Sequence, residues 1–425
     1  MKAQLNTVLA TVLARNDFRV VTHVPGFGGT QVYDELTKLA PKTASICLNE
    51  EAAFSMATGA AIYGKRAATL VKTQGLTKMA NALCSTLTVG NNAANLVIAF
   101  DDTAGKSSDN IFDAKGFIRG TESPYVIVGK DPQADVMRAI QLSEQLRLPV
   151  IVYVDCEKMD KFMSRNFKVD RARVHTSHDE ETQPRPPRGF PSGHQSQVSN
   201  LFRMVDQTSY YAGECFKKDP VRYVACPPLS KLQREIFLAK KSKRSPVLDD
   251  GLPFVVEDIP KKLPPHLKRI YQSYAPIFEA FGEIKADFVA GDAGTATLYA
   301  FHEKRFVDIC TYMGGAPGTA LGAHMAGADK SWALTGDFSF LAAGILGMNE
   351  IVSREAPVKT IVFNNGIAGA TGGQTIPHGV LANFIRGHSH YIHFLDQKMP
   401  RAKLVKILEA INASDSPQVG IVKIV

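Results

Sequence analysis

GDFSFLAAGILGMNEIVSREAPVKTIVFNNGIAGATGGQ, residues 336–374, is the stretch on which the reading of the fold turns. An apolar run, Trp332 to Leu334, stops at Gly336-Asp337. A helix-length segment, Leu341 to Ser353, follows, and a second apolar run, Thr360 to Phe363, stops at Asn364-Asn365-Gly366. Two parallel strands ending in an acid and an amide would put both side chains at the carboxyl edge of one sheet. A hard cation such as Mg²⁺ takes that set: a carboxylate, an amide oxygen, a main-chain carbonyl and phosphate oxygens. Either pair alone suits an ordinary polar turn. Together, and followed by Thr371-Gly372-Gly373-Gln374, they point to a metal and phosphate cradle.

Working outward, strand-helix alternation fills the C-terminal region. A helix runs from near Lys268 to Gly282, a strand from Asp287 to Ala290 leads into Gly291-Asp292-Ala293-Gly294, and a strand from Val307 to Cys310 precedes the Gly-rich turn Met313 to Gly318. A helix Thr319 to Gly327, a helix Arg401 to Ala413 and a strand Val419 to Val425 complete it. The first 155 residues alternate in the same way. The strands are Phe18 to Val24, Ser45 to Leu48, Ala67 to Lys72, Asn95 to Phe100, Tyr125 to Val128 and Pro149 to Val154, and Thr73-Gln74-Gly75 reads as a polar loop before a helix, Leu76 to Leu87. Alternation of this kind predicts an α/β fold of two domains, each a mainly parallel sheet flanked by helices. We expect domains at 1–170 and 267–425, joined by a long polar, proline-rich linker at 171–266.

A chain of 425 residues, 45% hydrophobic and 21% charged, suits two globular domains with cores of their own. No apolar run reaches the roughly 20 residues that span a bilayer, and the N-terminus has no signal-peptide core, so a cytoplasmic protein without membrane contact is expected. The six cysteines are scattered without a C-x-x-C pair, the pattern of reduced thiols rather than of a disulfide framework or an iron-sulfur site. The net charge of +8 comes largely from Arg171 to Arg269, without aromatic interleaving. That reads as a solvated linker surface, not a nucleic-acid face.

With both halves laid out, the chain resembles thiamine-diphosphate-dependent enzymes. Gly336-Asp337, with Asn365 following 28 residues after the aspartate, is similar to their metal and diphosphate motif. Glu50, nine residues before Gly59 in NEEAAFSMATG, is similar to the glutamate opening their cofactor-activating helix. Within that superfamily the chain is most similar to the alpha subunit of indolepyruvate ferredoxin oxidoreductase, through Asn49 to Leu83, Asp101-Asp102 with Ser107-Ser108-Asp109, Gly291 to Gly294, Met313-Gly314 and Asn365 to Gln374. It also resembles short phosphonopyruvate and sulfopyruvate decarboxylases, through Val24-Pro25 and Gln74-Gly75-Leu76. It departs from that subunit by lacking the ferredoxin segment, which makes an electron relay within the chain unexpected, and from many members by Phe338 in place of glycine.

The resemblance implies thiamine diphosphate and Mg²⁺ as cofactors. Asp337, Asn365 and the Ile367 carbonyl would hold the metal. Gly26, Asp292, Gly294, Thr311, Met313, Gly336, Phe338, Ser339, Ile367 and Gly369 would line the cofactor. Glu50 would exchange a proton with the aminopyrimidine ring. His23, Gln74 and His378, on turns facing the reacting carbon, are candidates to bind a substrate carboxylate or move a proton. His388, His390 and His393 lack a companion ligand set and read as structural. The implied partners are a 2-oxo acid substrate, alone or with a second carbonyl acceptor, and a second copy of the chain in a homodimer or dimer of dimers, for which the small-residue helix Ala52 to Ala61 offers a close-packing surface. Non-oxidative decarboxylation with aldehyde release or carboligation is the first expectation. The catalytic subunit of a 2-oxo acid oxidoreductase and a cofactor-binding subunit without turnover are the alternatives.

Overall fold

Strands covered on both faces must be apolar at every position, not at alternate ones, and Asn95–Asp101 and Arg66–Val71 are buried throughout. A computed structural model describes residues 2–121, 123–146, 148–159, 161–164, 265–294, 299, 306–369, 372–377 and 379–424. They fall into two units, 2–164 and 265–424. The expected linker lies outside the described residues except for Pro265 and His266, which open a helix.

The first unit runs β1 (Lys2–Gln4), α1 (Leu5–Arg15), β2 (Phe18–His23), α2 (Gly29–Leu39), β3 (Ala44–Ile46), α3 (Glu50–Ile62), β4 (Arg66–Lys72), α4 (Thr73–Lys78), α5 (Ala80–Val89), β5 (Asn95–Asp101), α6 (Ala114–Gly120), β6 (Tyr125–Ile127), α7 (Pro132–Leu146), β7 (Val150–Asp155) and β8 (Phe162–Ser164). Six strands form one parallel sheet in the order β3-β2-β4-β5-β7-β6, and β1 pairs antiparallel with β8. Leu5, Leu9 and Leu13 on α1 join Val136 and Ile140 of α7 and Leu96 and Ile98 of β5 in the core. Burying each such side chain stabilises the unit by about 1.5–3 kcal/mol. Helix α3 is apolar on every side and buried from Ala52 to Ile62, packed on its own β2, β4 and α5. Its small residues admit the close approach of that sheet.

The second unit runs α8 (Pro265–Phe281), β9 (Phe288–Asp292), β10 (Ile309–Thr311), α9 (Ala316–Met325), β11 (Ser331–Gly336), α10 (Asp337–Ser339), a π-helical turn (Phe340–Gly344), α11 (Ile345–Ser353), β12 (Lys359–Asn364), β13 (Ile367–Ala368), β14 (Gln374–Thr375), α12 (Val380–Gly387), β15 (Ile392–Asp396), α13 (Arg401–Ala413) and β16 (Gln418–Lys423). Its sheet is parallel too, in the order β10-β9-β11-β12-β16-β15. Tyr271, Tyr274, Phe278 and Phe281 share one face of α8 at helical spacing and pack on that sheet. The ring of Tyr274 stacks on Phe363 at 4.3 Å, and Phe281 meets Trp332 edge-on at 5.1 Å.

Two local readings change. Thr73-Gln74-Gly75 is the first turn of α4 rather than a loop, because the Thr73 hydroxyl bonds Asp101 Oδ1 at 3.1 Å and draws the chain into the helix. The single helix read from Leu76 to Leu87 breaks at Met79 into α4 and α5. Helix α12, although Val380, Leu381, Phe384 and Ile385 recur at helical spacing, and the half-exposed edge strand β15 were not anticipated. Among the described residues no helix is long and apolar enough to cross a membrane.

Arg66 ties three elements of the first unit together. Its Nε bonds Glu144 Oε1 at 2.7 Å, its Nη2 bonds Oε2 at 3.3 Å, and its Nη1 bonds the Asn16 carbonyl at 2.9 Å. The side chains are only 8% and 16% exposed, so removing one partner strands a desolvated charge. Glu144→Ala is therefore expected to lower unfolding free energy by about 3 kcal/mol in urea titrations at pH 7. A loss under about 1 kcal/mol would reduce the pair to a surface contact.

Candidate active site

In the second unit β11 and β12 run in register, Gly336 opposite Phe363, so their carboxyl ends lie side by side. Asp337 begins α10 directly after β11 and is 3% exposed. Its Oδ1 accepts the Phe338 N–H at 2.8 Å and its Oδ2 accepts the Gly366 N–H at 2.7 Å. Gly366 sits at φ 72°, in the left-handed region that glycine enters without strain. Asn365 Oδ1 accepts the Ile367 N–H at 3.0 Å, while Nδ2 donates to the Tyr274 hydroxyl at 3.1 Å. A main-chain N–H requires an acceptor, which settles which end of the amide is oxygen. Burial pushes the Asp337 carboxyl above the usual carboxylate range, partly offset by these N–H groups. A cation beside it would act in the opposite sense.

Around this pair lies a cleft of about 600 Å³. It is lined by Asp292, Ala293 and Gly294 after β9, by Met313, by Gly336, Asp337, Phe338 and Ser339, by Asn365, Ile367, Ala368 and Gly369, and by Tyr274 from below. The sequence brings most of this list together. It missed Tyr274, Ala293 and Ala368, and Tyr274 carries no signal beyond the aromatic periodicity of α8, which reads as core. Met313 and Phe338 are 39% and 40% exposed, two large apolar surfaces that could support a flat organic ring. Gly314, at φ 91°, lets the Met313 turn press on the π-helical turn: a Cβ there would lie 2.6 Å from Ala343 Cβ and from the Gly344 nitrogen. Thr311 ends β10 outside the cleft lining.

Asp292 lines the cleft and is 2% exposed, and its Oδ1 accepts the Ala316 N–H at 2.7 Å while its Oδ2 accepts the Thr335 hydroxyl. The carboxyl thus joins the start of α9 to the end of β11 and positions the cleft. Burial pushes its pKa up to about 7, against the opposing hydrogen bonds from Thr335, Ala316 and Gly314. The Phe338 N–H is likewise spent on Asp337, which leaves the side chains of Ser339 and Phe338 to meet a ligand.

In the first unit Glu50 is the first residue of α3, behind the Asn49 cap, whose Oδ1 accepts the Glu51 and Ala52 N–H groups at 2.9 and 3.2 Å. Its side chain is 13% exposed and lies against Gly75, where a Cβ would come within 2.8 Å of Glu50 Cγ. Glu50 Oε2 is buried without a hydrogen-bond partner. The Lys78 ammonium is 3.4 Å away but 65% exposed and outside hydrogen-bond geometry, so we take the contact as weak. His23 is corrected by its surroundings. It is 1% exposed, with Nδ1 on the Leu70 carbonyl and Nε2 on Thr30 Oγ1, both at 3.2 Å, and burial holds its pKa below the usual value. Neither nitrogen is left for a substrate. Gly26 permits a close approach of Lys72, whose Cγ would lie 2.7 Å from an added Cβ. His378 lies outside the described residues.

His388 Nδ1 meets the Phe384 carbonyl at 3.0 Å and His393 Nε2 meets Gln418 Oε1 at 2.5 Å. Among the described residues no group of three His, Cys, Asp or Glu is placed to hold a metal. An Mg²⁺ site here would be of the other kind, one carboxylate with neutral oxygens. Asp337, Asn365 and the Ile367 carbonyl are chemically that set. The residues therefore fit the implied groups: hard oxygen donors and apolar walls in one unit, and an orphaned buried carboxylate oxygen in the other.

Comparison with known proteins agrees. Residues 291–416 match the C-terminal TPP binding domain of thiamine pyrophosphate enzymes. Solved structures with a similar fold include the thiamine diphosphate-dependent 4-hydroxybenzoylformate decarboxylase of Rhodococcus jostii RHA1 (TM-score 0.61, 15% identity, 99% of each chain). The benzoylformate decarboxylase of Polynucleobacter necessarius is similar as well (TM-score 0.60, 13% identity, 99% of this chain and 98% of that one). The indolepyruvate oxidoreductase subunit IorA of Methanothermobacter marburgensis is 28% identical over 139 residues, 31% of this chain. The match spans only 22% of that protein's length. Residues 291–416 thus match the thiamine pyrophosphate-binding domain model, and the chain is similar in fold to solved thiamine-diphosphate-dependent enzymes.

The Asp292 assignment carries a pH signature. A carboxyl whose pKa is higher folded than unfolded binds more protons in the native state between about pH 4 and 7, so its contribution to stability falls as pH rises through that window. Relative to Asp292→Asn, the native protein should therefore lose about 1 kcal/mol per pH unit between pH 5 and 7 in urea titrations. Parallel stability curves for the two proteins would show that Asp292 does not titrate there.

Proposed function

We propose that the protein is a thiamine-diphosphate- and Mg²⁺-dependent enzyme that decarboxylates a 2-oxo acid without net oxidation. It would release an aldehyde or join the retained acyl group to a second carbonyl compound. The observation that carries the reading is the Asp337–Asn365 cleft, where a buried carboxylate and an oriented amide oxygen meet at the carboxyl edge of a parallel sheet. Asp337, Asn365 Oδ1 and the Ile367 carbonyl would hold the metal. The Ser339 hydroxyl would donate toward the diphosphate, and Met313 would support the organic part of the cofactor. Bound thiamine diphosphate supplies a carbon nucleophile and an electron sink. Glu50 would hold a proton at Oε2 for a ring nitrogen, the use for which a buried oxygen without a partner is suited. Decarboxylation, as the reaction type, draws support from the two decarboxylases of similar fold.

The likeness to the indolepyruvate oxidoreductase subunit supports a second reading, a catalytic subunit that passes electrons to a partner. A panel of aliphatic and aryl 2-oxo acids, followed by carbon dioxide release and by dye reduction, separates the two. The proposal expects carbon dioxide with aldehyde or acyloin from the chain alone. Glu50→Gln should cut that rate by about 100-fold or more while thiamine diphosphate still binds. Turnover that needs an added partner and an electron acceptor would favour the second reading, and an unimpaired Glu50→Gln enzyme would remove Glu50 from the chemistry.

A further inference from the structure

Gln74 is the second residue of α4, at the carboxyl end of β4, and both ends of its amide can be assigned. One end lies 2.8 Å from the Asn110 carbonyl. A carbonyl only accepts, so that end is Nε2 and the other is Oε1. Oε1 is buried and has no hydrogen-bond partner. The residue is also held from behind, since Thr73 is bonded to Asp101 and Asp101 takes the Tyr153 hydroxyl on its other oxygen. Gly75, the next residue, is the one that Glu50 packs against. The turn Thr73-Gln74-Gly75 therefore brings two buried acceptor oxygens without hydrogen bonds, Glu50 Oε2, with the exposed Lys78 ammonium 3.4 Å away, and Gln74 Oε1, to the same end of one sheet. Leaving such an acceptor unsatisfied costs about 1–3 kcal/mol, a penalty that a ligand donor would remove.

We infer that Gln74 Oε1 is a fixed hydrogen-bond acceptor for an N–H or O–H group of the bound ligand, and that Gln74 moves no proton. One N–H of its Nε2 is held by the Asn110 carbonyl, which fixes the amide, and an amide does not titrate. The inference rests on the proposed thiamine-diphosphate function and specifies what the ligand must offer at this point. Two sources carry that chemistry: the amino group of the cofactor's pyrimidine, or a ring N–H or hydroxyl on the side chain of the 2-oxo acid. In the second case Gln74 selects substrates that bear such a donor.

The test measures coupling between Gln74 and the donor on the whole chain, using Gln74→Met, with its fold verified by circular dichroism and thermal unfolding. In the cofactor arm, calorimetry with Mg²⁺ compares thiamine diphosphate with the analogue whose pyrimidine amino group is replaced by oxygen. In the substrate arm, KM is compared for an aryl 2-oxo acid bearing a ring N–H or O–H and for the same acid without it. The native protein is expected to prefer the donor-bearing ligand by about tenfold in one arm, and Gln74→Met to lose that preference. The arm that shows the coupling identifies the source. If Gln74→Met weakens both members of each pair alike, or neither, Gln74 acts through its Asn110 tether or not at all, and the inference fails. If the native chain binds no thiamine diphosphate, the proposed function fails with it, whereas binding without coupling removes the Gln74 inference alone.

Discussion

The hydrogen bond from the Gly366 N–H to Asp337 Oδ2, 2.7 Å long, joins the turn after β12 to the residue after β11. The rest of the cleft depends on it. Parallel strands bring their carboxyl ends to one edge but do not fix the turns beyond them. Asp337 does so by accepting one N–H from its own helix start and one from the neighbouring turn. With that turn fixed, Asn365 is aimed by Ile367 on one side and Tyr274 on the other. Both carboxylate oxygens retain lone pairs for a cation, so the groups that shape the site are also those that could bind.

Two buried carboxylates in this unit divide the work. Asp292 lines the cleft too, and its oxygens join the start of α9 to Thr335 at the end of β11. Asp337 lies one strand over and holds main-chain N–H groups while lining the cleft. Burial raises the proton affinity of both, but only Asp337 has hard oxygen donors beside it to make a cation the natural counter-charge. In the first unit Asp101 holds Thr73 and Tyr153, and Glu50 keeps one buried oxygen without a hydrogen bond.

The fold was legible because doubly covered strands leave unbroken apolar runs, and the runs at Ala67, Asn95, Trp332 and Thr360 all became central parallel strands. Asp337 and Asn365 were legible for the same reason, since the end of such a run marks a sheet edge. Side-chain direction was not. His23 and Asp292 follow strands as good site residues do, but each turns to a partner distant in sequence, Leu70 for one and Thr335 for the other. The acceptor character of Gln74 depends on the Asn110 carbonyl, 36 positions away, and no local pattern encodes that contact. The half-exposed edge strand β15 left no clear period to read, whereas the helical spacing of Val380, Leu381, Phe384 and Ile385 in α12 was there and was overlooked.

The central claim is that the Asp337–Asn365 edge holds thiamine diphosphate through Mg²⁺. Its most direct test is calorimetric titration of the full chain with thiamine diphosphate, with Mg²⁺ present and then with the metal removed by chelation. The account predicts binding with Mg²⁺ and an affinity lower by roughly thirtyfold or more, about 2 kcal/mol, without it, together with a comparable loss in Asp337→Ala. Equal affinity with and without the metal, or an unchanged Asp337→Ala protein, would contradict it.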